Sequence, residues 1–527
     1  MENKNQRVLI FVTIATILIL VIIFAGVTYA FFTANNPEGS TAEIKSETGR
    51  MLITYNDGTD NIVPVTNIQP SNAILVNKTF TLTGSNTTVG MKTGDGLPMP
   101  YKVGVQYTST FSDGMIHYYI KEVDRPTDSN VTVNYVITPE TGKTEDDYKN
   151  QTVPGNDAYT GYVHGTLKNG TDVYTEMING EFPADLNDQT IKFNLIIQFP
   201  DNNENQDSEK GKTINGRIVI NQPTLSEYIS KLDLTENGLE KDKTKDDNIR
   251  YVGASPKNYL KFNDDEIWRI VGVFNNITTI DELGNEKKES LVKIVRNDSL
   301  GDYSWDSSES STNNGWGVNE WSQADLMTEL NNDYINPNPA SETTLWFNGS
   351  NNAKTGTYNY DKNIKSKSID KIAKVRWNTS RATDEASTLN SYNQERSTTL
   401  IDTPSDNVPR NNIWEGKIAL IYPSDYGYAS TDKTCRNRIN SSTNNVYNCK
   451  NENWLFNSSY QWTLSPLSGR ANVVVDVYSG GYVSYSSAHN TLGVRPVLFL
   501  KSDVVIAGGT GESIENAYTL EWYIAKR

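Results

Sequence analysis

The stretch VLIFVTIATILILVIIFAGVTYAFFTA, Val8–Ala34, sets the organisation of everything that follows it. No charged residue interrupts it, and a run of about 20 apolar residues is long enough to cross the hydrocarbon core of a membrane as a helix. The residues before it, Met1–Arg7, carry two basic side chains and the terminal amine against one acidic side chain, so this flank is expected to stay cytoplasmic. The sequence therefore predicts that the chain from about Asn35 onward is exported, to the cell surface or the extracellular space.

Two interpretations of Val8–Ala34 stay open. The small residues that end Thr28–Ala30 suit a signal peptidase, and cleavage after Ala30 would give a mature chain that begins at Phe31. The apolar run is, however, longer than the roughly 7–15 residues typical of a signal peptide, which favours an uncleaved membrane anchor. Residues 1–34 are thus either a signal peptide or a transmembrane helix that holds the chain at the membrane.

The composition agrees with an exported protein and excludes one class of partner. The chain has 527 residues, which suits two to four domains, and a formal net charge of −16 with a pI near 4.8. Since its Lys and Arg residues are dispersed, the basic face expected of a nucleic-acid-binding protein is missing. Short runs rich in Thr, Tyr and Val, separated by Asn, Asp and Gly, indicate β-structure with polar loops.

The cysteine count predicts one disulfide. Cys435 and Cys449 are the only two cysteines, an even number in an exported region. Closing a loop of this size stabilises a fold by about 3 kcal/mol. The alternative is a structural zinc site, which needs four ligands at fixed spacing. Two cysteines and the scattered His117, His164 and His489 do not supply that set.

Residues 35–223 are predicted to form an all-β sandwich of jelly-roll type after a short polar spacer. Strand-like runs are separated by turn clusters such as Asn56–Gly58 and Ser112–Gly114, and no segment has a convincing helical period. Seven such runs in about 170 residues are typical of a sandwich. The predicted strands are 51–55, 78–84, 101–110, 115–123, 131–138, 191–199 and 216–222.

This region resembles the biofilm matrix fibre and camelysin family of exported proteins from low-GC Gram-positive bacteria. The resemblance rests on TYAFFTA (Thr28–Ala34), on GRMLITY (Gly49–Tyr55) and on the last strands with their Gln- and Asn-rich loop, Phe193–Ile220. It implies processing by a dedicated signal peptidase and a jelly-roll subunit that assembles into fibres by exchanging strands. An exposed N-terminal strand can pair with the sheet edge of a neighbour. The alternative is a monomeric sandwich that acts as a spacer.

Camelysins have been classed as metalloendopeptidases, so the resemblance also raises an exported protease. This sequence lacks His-Glu-x-x-His, the helical pair that holds zinc beside a general base. His117 and His164 each lie inside a predicted strand, without a carboxylate at ligand spacing. A cross-strand partner or a surface position explains them more simply than a metal does.

Residues 224–248 are predicted to be a short helix followed by a charged linker between two domains. In Thr224–Leu232 the apolar residues fall on one helical face. The following segment, Glu236–Asn248, mixes both charges and has few apolar residues, which is typical of a solvated hinge.

Residues 249–527 have a mixed α+β pattern. The strongly apolar Ile267–Phe274 predicts a strand, and Leu291–Asn297 is its expected hairpin partner across the loop Asn275–Ser290. Ser322 suits the N-cap of a helix over Gln323–Tyr334. Other predicted elements are a second helix over Ser368–Trp377, a strand over Gly416–Ser430 and a closing hairpin over Val473–Tyr485.

This second region resembles the C-type-lectin-like fold in the variant shared with formylglycine-generating enzymes. It is more closely similar to an uncharacterised C-terminal domain of Gram-positive surface proteins, although those relatives often carry more cysteines. The resemblance implies a loop-rich lectin-like domain at the tip of the protein. The residues that carry it are Arg250–Gly253, Trp268–Ile270, Gly317–Trp321, Tyr422–Tyr428, Trp462–Pro466, Gly493–Val497 and Gly508–Leu520.

An enzymatic interpretation of the second region lacks the residues it needs. Formylglycine generation depends on reactive cysteines, and Cys435 and Cys449 are better explained as a bridge. A serine hydrolase needs a positioned base, and His489 is the sole histidine of this region. No cofactor is predicted. Ca²⁺ stays an unassigned alternative, because Asp- and Asn-rich loops are frequent but no EF-hand spacing is present.

The closing hairpin carries the candidate contact residues Tyr478, Tyr482 and Tyr485. Tyrosines beside small residues make adaptable contact surfaces for sugars or proteins. The alternative is an ordinary hairpin with tyrosines on a wet face. The sequence thus favours an exported surface protein that functions in adhesion or in recognition of a glycan or a host protein. A structural subunit of a matrix fibre is the second hypothesis and an exported metalloendopeptidase the third.

Overall fold

The chain separates into two compact units, Met1–Gln222 and Pro223–Arg527. Val8–Ala34 lies outside the residues that the structure describes, and none of the helices within those residues is long and apolar enough to span a membrane. A computed structural model describes residues 41–45, 52–56, 68–85, 99–127, 129–183, 188–307, 315–336, 363–383, 387–399, 404, 406, 408–437, 439 and 449–522.

The first unit is built from two antiparallel sheets. One sheet has the strand order β1-β2-β3-β9-β5-β7 and the other has the order β10-β4-β8-β6. The strands are β1 Thr41–Lys45, β2 Leu52–Asn56, β3 Ile74–Ser85, β4 Met99–Ser109, β5 Ile116–Asp124, β6 Thr132–Tyr135, β7 Val163–Leu167, β8 Gly170–Phe182, β9 Gln189–Gln198 and β10 Ile214–Asn221. The predicted β-rich sandwich is therefore confirmed, and each of the seven predicted strands coincides with an observed one.

The core of the first unit lies between these two sheets. Side chains alternate along a strand, so Phe80 of β3 and Phe193 of β9 point inward together, with ring centroids 5.4 Å apart. Val105 of β4 and Ile178 of β8 come from the other sheet and are also fully buried. A core filled from both sheets is what the alternating Thr, Val and aromatic pattern predicts.

Three strands were not predicted from the sequence: β1, which lies in the segment predicted to be a polar spacer, β7 and β8. The longest of them, β8, reads GTDVYTEMINGEF, and most of its side chains are only partly buried. Its polar residues and internal glycines hide the alternation on which the predictions rest. Pairing with β4 along nearly its whole length holds it in the sheet.

The second unit contains a nine-stranded sheet, a five-stranded sheet and a separate two-stranded hairpin. Its helices are short and lie between strands. In chain order the elements are α1 Leu225–Lys231, β11 Leu239–Lys241, β12 Ile249–Tyr251, β13 Tyr259–Lys261, β14 Ile267–Ile280, β15 Glu286–Arg296, β16 Asp302–Ser304, α2 Asp325–Thr328, α3 Ser366–Ile369, β17 Val375–Asn378, α4 Thr388–Glu395, β18 Ile413–Gly416, β19 Ile418–Ala419, α5 Pro423–Ala429, α6 Lys433–Asn437, β20 Gln461–Pro466, β21 Val473–Val477, β22 Val483–Ser487, β23 Thr491–Gly493, β24 Val497–Phe499, β25 Val504–Gly508 and β26 Thr519–Trp522.

The helix predicted over Thr224–Leu232 is present as α1, but the solvated linker predicted over Glu236–Asn248 is wrong. Leu225 and Ile229 of α1 are buried in the core of the second unit, and β11 pairs with β12. Asp242 and Asn248 are also buried, and their polar groups are satisfied there, since Asp242 pairs with Arg250 and Asn248 donates to Asp242. Charged residues of the segment predicted to be a solvated hinge thus form ion pairs and hydrogen bonds inside the unit.

Four further predictions for the second unit need correction. The hairpin of β14 and β15 is confirmed, but its strands continue into the predicted loop, leaving only residues 281–285 between them. The helix predicted from Ser322 begins at Asp325 and continues as a π-helix over Glu329–Tyr334, while the Ser322 hydroxyl donates to Glu320. Most of Ser368–Trp377 is not helical, and the segment after β19 forms helix α5 rather than a strand.

A group of buried charges joins the largest sheet of the second unit to helix α5. Arg250 of β12 donates to Asp425 (Nη1 to Oδ1, 2.9 Å) and to Asp242 (Nε to Oδ2, 2.5 Å). Lys293 of β15 donates to the other oxygen of Asp425. Aromatic rings surround Lys293, the nearest being Tyr422 with its ring centroid 4.4 Å from Nζ. The opposite charges thus compensate one another in the buried interior, and hydrogen bonds between them offset the cost of removing them from water.

The predicted disulfide between Cys435 and Cys449 is confirmed. Both cysteines are fully buried in the core of the second unit, and their Cα atoms lie 4.8 Å apart. The bridge joins α6 to the segment that leads into β20 and closes a loop with a sequence separation of 14 residues.

Replacing both cysteines by serine is expected to lower the free energy of unfolding of the second unit by about 3 kcal/mol, because the unfolded chain gains the freedom that the loop now lacks. Urea unfolding followed by tryptophan emission measures this, since all 10 tryptophans lie after Pro223. Reduction of the wild-type chain serves as the control and should give the same loss. An unchanged midpoint in both experiments would contradict the prediction.

Candidate functional site

The hairpin of β21 and β22 divides the three candidate tyrosines between two faces. Val475 pairs with Tyr485 and Asp476 pairs with Ser484. Because side chains alternate along each strand, Asp476, Tyr478 and Tyr482 share one face, while Tyr485 lies on the other. The predicted contact residues are therefore not one surface, and Tyr485 is separate from the other two.

A tight turn brings Tyr478 and Tyr482 together. The Tyr478 N–H donates to the carbonyl of Tyr482, and the Gly481 N–H donates to the carbonyl of Tyr478, both at 2.8 Å. Gly481 has φ of +96°, and a Cβ at this position would lie 2.4 Å from the Cβ of Lys450. Glycine is thus required here both by the backbone conformation and by the close approach of the neighbouring loop.

The turn places Tyr478 between two other rings. Tyr482 stacks on Tyr478 with centroids 4.7 Å apart, and Tyr460 meets Tyr478 edge to face at 4.9 Å. We call Tyr460, Tyr478 and Tyr482 the tyrosine cluster. Tyr460 is 41% exposed, and the other two are half-buried, so the cluster is open to solvent. The sequence analysis missed Tyr460, although NSSYQW places it directly before a buried strand.

Asp476 lies on the same face as the tyrosine cluster, two residues before Tyr478. Its side chain is fully buried. Burial raises its pKa to about 7, and hydrogen bonding with the Ser486 side chain acts in the opposite direction. A lone aspartate within VVVDV is the sequence signal that could have identified it.

Asp476 and the tyrosine cluster are electrostatically connected. Burial and the neighbouring Tyr478 raise the pKa of Tyr460, and the Asp476 charge adds to that rise. Residues two apart on a strand are separated by about 7 Å, so Asp476 is the next side chain to Tyr478 on the same face. Because burying a carboxyl is costly, Asp476 is an unusual neighbour for an exposed aromatic surface.

His489 lies against a tryptophan ring. Its ring contacts the half-exposed Trp316 edge to face, with centroids 4.8 Å apart. Its Nδ1 atom has no hydrogen-bond partner among the described residues, so no described carboxylate orients the ring as in a catalytic triad.

His117 and His164 form a pair on adjacent strands of the first unit. Nε2 of His164 lies 3.0 Å from Nδ1 of His117, a hydrogen-bond distance, and Tyr119 stacks on the His164 ring at 4.9 Å. The cross-strand partner that the sequence suggested is therefore the other histidine. No group of three or more His, Cys, Asp or Glu side chains that could hold a metal occurs among the described residues.

The histidine pair is expected to make the first unit sensitive to acid. Burial, together with the neighbouring His117, lowers the pKa of His164 to about 4, and burial also lowers the pKa of His117. Since the unfolded chain takes up protons near the ordinary pKa of about 6.5, stability is lost as the pH falls from about 6.5 towards 4. We expect a loss of about 2 kcal/mol.

NMR titration of the histidine ring protons tests this directly, because the chain has only 3 histidines. The variant His164→Phe keeps a stacked ring and removes the titrating group, so its unfolding should depend less on pH than that of the wild type. A pKa near 6.5 for His164 would overturn the prediction.

Comparison with protein-family models, with curated proteins and with solved structures finds no match to this chain. The structure alone therefore describes the chain, as a β-rich protein of two compact units with several antiparallel sheets. The candidate binding surface on it is the tyrosine cluster beside Asp476.

Proposed function

We propose that the chain is an exported surface protein whose second unit recognises a ligand, a glycan or a host protein, through the tyrosine cluster. The observation that carries this proposal is the placement of three tyrosines on one open face at the end of a sheet, with Tyr460 at 41% exposure. Tyrosine offers a large contact area at a low cost in conformational entropy. The apolar Val8–Ala34 and the acidic composition support the exported location.

The cluster is held by rigid structure, which favours recognition over a passive surface. The sheet beneath it is buried on both sides, since Trp462, Val474 and Val477 are almost inaccessible. The bridge between Cys435 and Cys449 fixes the loop beside it, because Tyr426 donates to the carbonyls of both Cys449 and Gly481. A preorganised contact surface loses less entropy on binding.

Binding of the purified full-length chain to arrays of glycans and host proteins tests the proposal. We expect a set of chemically related ligands to bind the wild type. The variant Tyr460→Ser should lose most of this signal, whereas the matched control Tyr485→Ser, on the face of the β21–β22 hairpin opposite to the cluster, should keep it. The absence of any ligand, or an equal loss in both variants, would count against the proposal.

Assembly into a fibre is a second candidate, favoured by the position of β1. This strand, Thr41–Lys45, ends the order of the six-stranded sheet and pairs only with β2 among the described strands. An N-terminal strand at a sheet edge can be exchanged with a neighbouring copy. Analytical ultracentrifugation over a range of concentrations tests this candidate, and a single monomeric species throughout would exclude it.

We extend the proposal to the finer features of the fold and to the attachment of the chain. The first unit would be a jelly roll like the fibre and camelysin family, and the second would be C-type-lectin-like. The N-terminal residue of the protein recovered from cells decides the attachment. Phe31 would indicate a processed and released chain, and Met1 an anchored one.

A further inference from the structure

We propose that the first unit forms an amide cross-link within itself, in which the side-chain amine of Lys102 bonds to the side-chain carbonyl carbon of Asn179 and Glu176 carries the protons. All three residues lie on β4 and β8 of the first unit. The cross-link is thus separate from ligand recognition by the second unit, and either proposal can fail without the other.

The pairing of two strands brings the reacting groups together. Lys102 of β4 lies directly opposite Asn179 of β8 in the antiparallel register. Side chains of directly opposed residues lie on one face of a sheet, with Cβ atoms about 4.5–5.5 Å apart. The long lysine side chain can therefore reach the short asparagine side chain without a rearrangement of the backbone.

A bulge in β8 adds a carboxylate to the same face. Residues three apart on a regular strand point to opposite faces, so Glu176 would ordinarily face away from Asn179. The register shifts between Val103 and Gly104, so that Gly104 pairs with Glu176 and β8 contains an extra residue. Bulges re-aim side chains in this way. Glu176 is thereby turned to the face that carries Lys102 and Asn179.

The Glu176 carboxylate contacts both reacting groups. Its Oε2 atom lies 2.8 Å from Nζ of Lys102, and its Oε1 atom accepts a hydrogen bond from Nδ2 of Asn179 at 2.9 Å. The side chain of Lys102 is 10% exposed and that of Glu176 is 20% exposed, so little water reaches them. The nucleophile and the leaving nitrogen therefore share one sheltered carboxylate, with a different oxygen for each.

This arrangement supplies the proton transfers that the reaction needs. Oε2 of Glu176 takes a proton from the Lys102 ammonium, and the neutral amine attacks Cγ of Asn179. As the bond from Nζ to Cγ forms, the bond from Cγ to Nδ2 breaks, and Nδ2 leaves as ammonium with two protons that Nζ has lost. One ammonium and one carboxamide thus become one secondary amide and one ammonium ion, and Glu176 is regenerated. No oxidant or reductant is needed.

The surroundings favour these steps. Proton transfer from an ammonium to a carboxylate turns two charges into two neutral groups, which removes the cost of keeping the charges away from water. The fixed register also holds the amine beside the carboxamide, so the entropy that two separate molecules would lose is already spent in folding. Because the released ammonium diffuses away, the new bond accumulates.

The first unit contains a second pair with the same register but without a carboxylate. Lys121 of β5 lies directly opposite Asn194 of β9. The Lys121 amine donates to the carbonyl of Thr160 at 2.8 Å, and the Asn194 amide donates to Asn77 and Thr79. None of the described contacts joins either side chain to a carboxylate. We therefore expect an amide bond at the first pair and none at the second.

Peptide mapping of the full-length chain after incubation at neutral pH tests the cross-link. Trypsin should fail to cleave the denatured chain at Lys102 and should release residues 93–121 joined to residues 169–192, lighter by one ammonia than the two peptides together. No branch should join Lys121 to Asn194. A wild-type chain without the branched peptide, or an equal yield of a branch at the second pair, would overturn the proposal.

Two variants test the roles of the reacting groups. Lys102→Arg keeps the positive charge and removes the nucleophile, so the branched peptide should be absent. Glu176→Gln keeps the shape of the side chain and should slow branch formation about a hundredfold or more, because it cannot carry the protons. The matched control Lys121→Arg should form the branch like the wild type. A wild-type rate in Glu176→Gln would refute the mechanism, and the ring signals of the paired His117 and His164 show whether each variant is folded.

The same map distinguishes two other products. Asn179 precedes Gly180, and attack by the Gly180 backbone nitrogen would also release ammonia. That product has no branch, and trypsin still cleaves it at Lys102. Lys102 also lies opposite Asn221 of β10, on its other side. A closed ring at Asn179 without a branch, or a branch to Asn221 in place of Asn179, would contradict the proposed bond.

Discussion

Replacing Asp425 by alanine is expected to lower the free energy of unfolding of the second unit by about 3–5 kcal/mol, because it leaves two buried cations without a shared partner. Burial alone would raise the pKa of Asp425, but Lys293 and Arg250 outweigh burial and lower it to about 2. The carboxylate is therefore ionised at neutral pH. Burial lowers the pKa of Lys293 to about 8, so this amine loses its proton readily once Asp425 is gone.

The measurement is urea unfolding followed by tryptophan emission, which reports the second unit alone. The matched control is Asp265→Ala, which removes an exposed ion pair with Lys261 and should cost less than about 1 kcal/mol. The double variant Asp425→Leu with Lys293→Met should recover part of the loss, because it removes both charges. A loss no larger than that of the control would contradict a buried and paired Asp425.

Replacing Asp476 by asparagine is expected to remove a pH dependence of the second unit that amounts to at most about 4 kcal/mol. The pKa of Asp476 in the folded chain is about 7, above the ordinary value of 3.8. At a pH between these two pKa values, the Asp476 carboxyl is protonated in the folded chain and ionised in the unfolded chain. Stability therefore falls as the pH rises from about 4 to 7 and is flat above 7, with each pKa unit worth about 1.4 kcal/mol.

The difference in unfolding free energy between wild type and Asp476→Asn, measured at about pH 4, 6 and 8, isolates this contribution because other groups cancel. We expect the wild type to lose stability relative to the variant as the pH rises to that pKa. A constant difference across this range would show that Asp476 titrates normally.

Local patterns predicted the elements whose buried and exposed residues alternate clearly. The strands β4 and β9 of the first unit and the hairpin of β14 and β15 in the second are examples, since β-branched and aromatic residues mark them directly. The strand β8 escaped because its side chains are neither clearly buried nor clearly exposed. The linker predicted over Glu236–Asn248 is wrong because charged side chains usually indicate solvent, whereas Asp242 here is paired in the interior.

The candidate site could be predicted only in part. The hairpin, its glycine turn and the opposite faces of Tyr482 and Tyr485 follow from residue spacing. The contact between Tyr460 and Tyr478 depends on β20 lying beside β21. The residue spacing within the hairpin of β21 and β22 does not determine which strand takes that position. The raised pKa of Asp476 depends on everything packed around it, so only the three-dimensional arrangement shows how completely its carboxyl is buried.

The central claim is that the tyrosine cluster, beside Asp476 on the same face, is where this chain recognises its ligand. The most direct measurement is the affinity of the strongest array ligand for two variants side by side, Tyr460→Ser and Tyr485→Ser, in the full-length chain. Both positions are exposed tyrosines of the same region, but only Tyr460 belongs to the cluster. We predict a loss of about tenfold or more for Tyr460→Ser and none for Tyr485→Ser, and an equal effect of the two substitutions would contradict the claim.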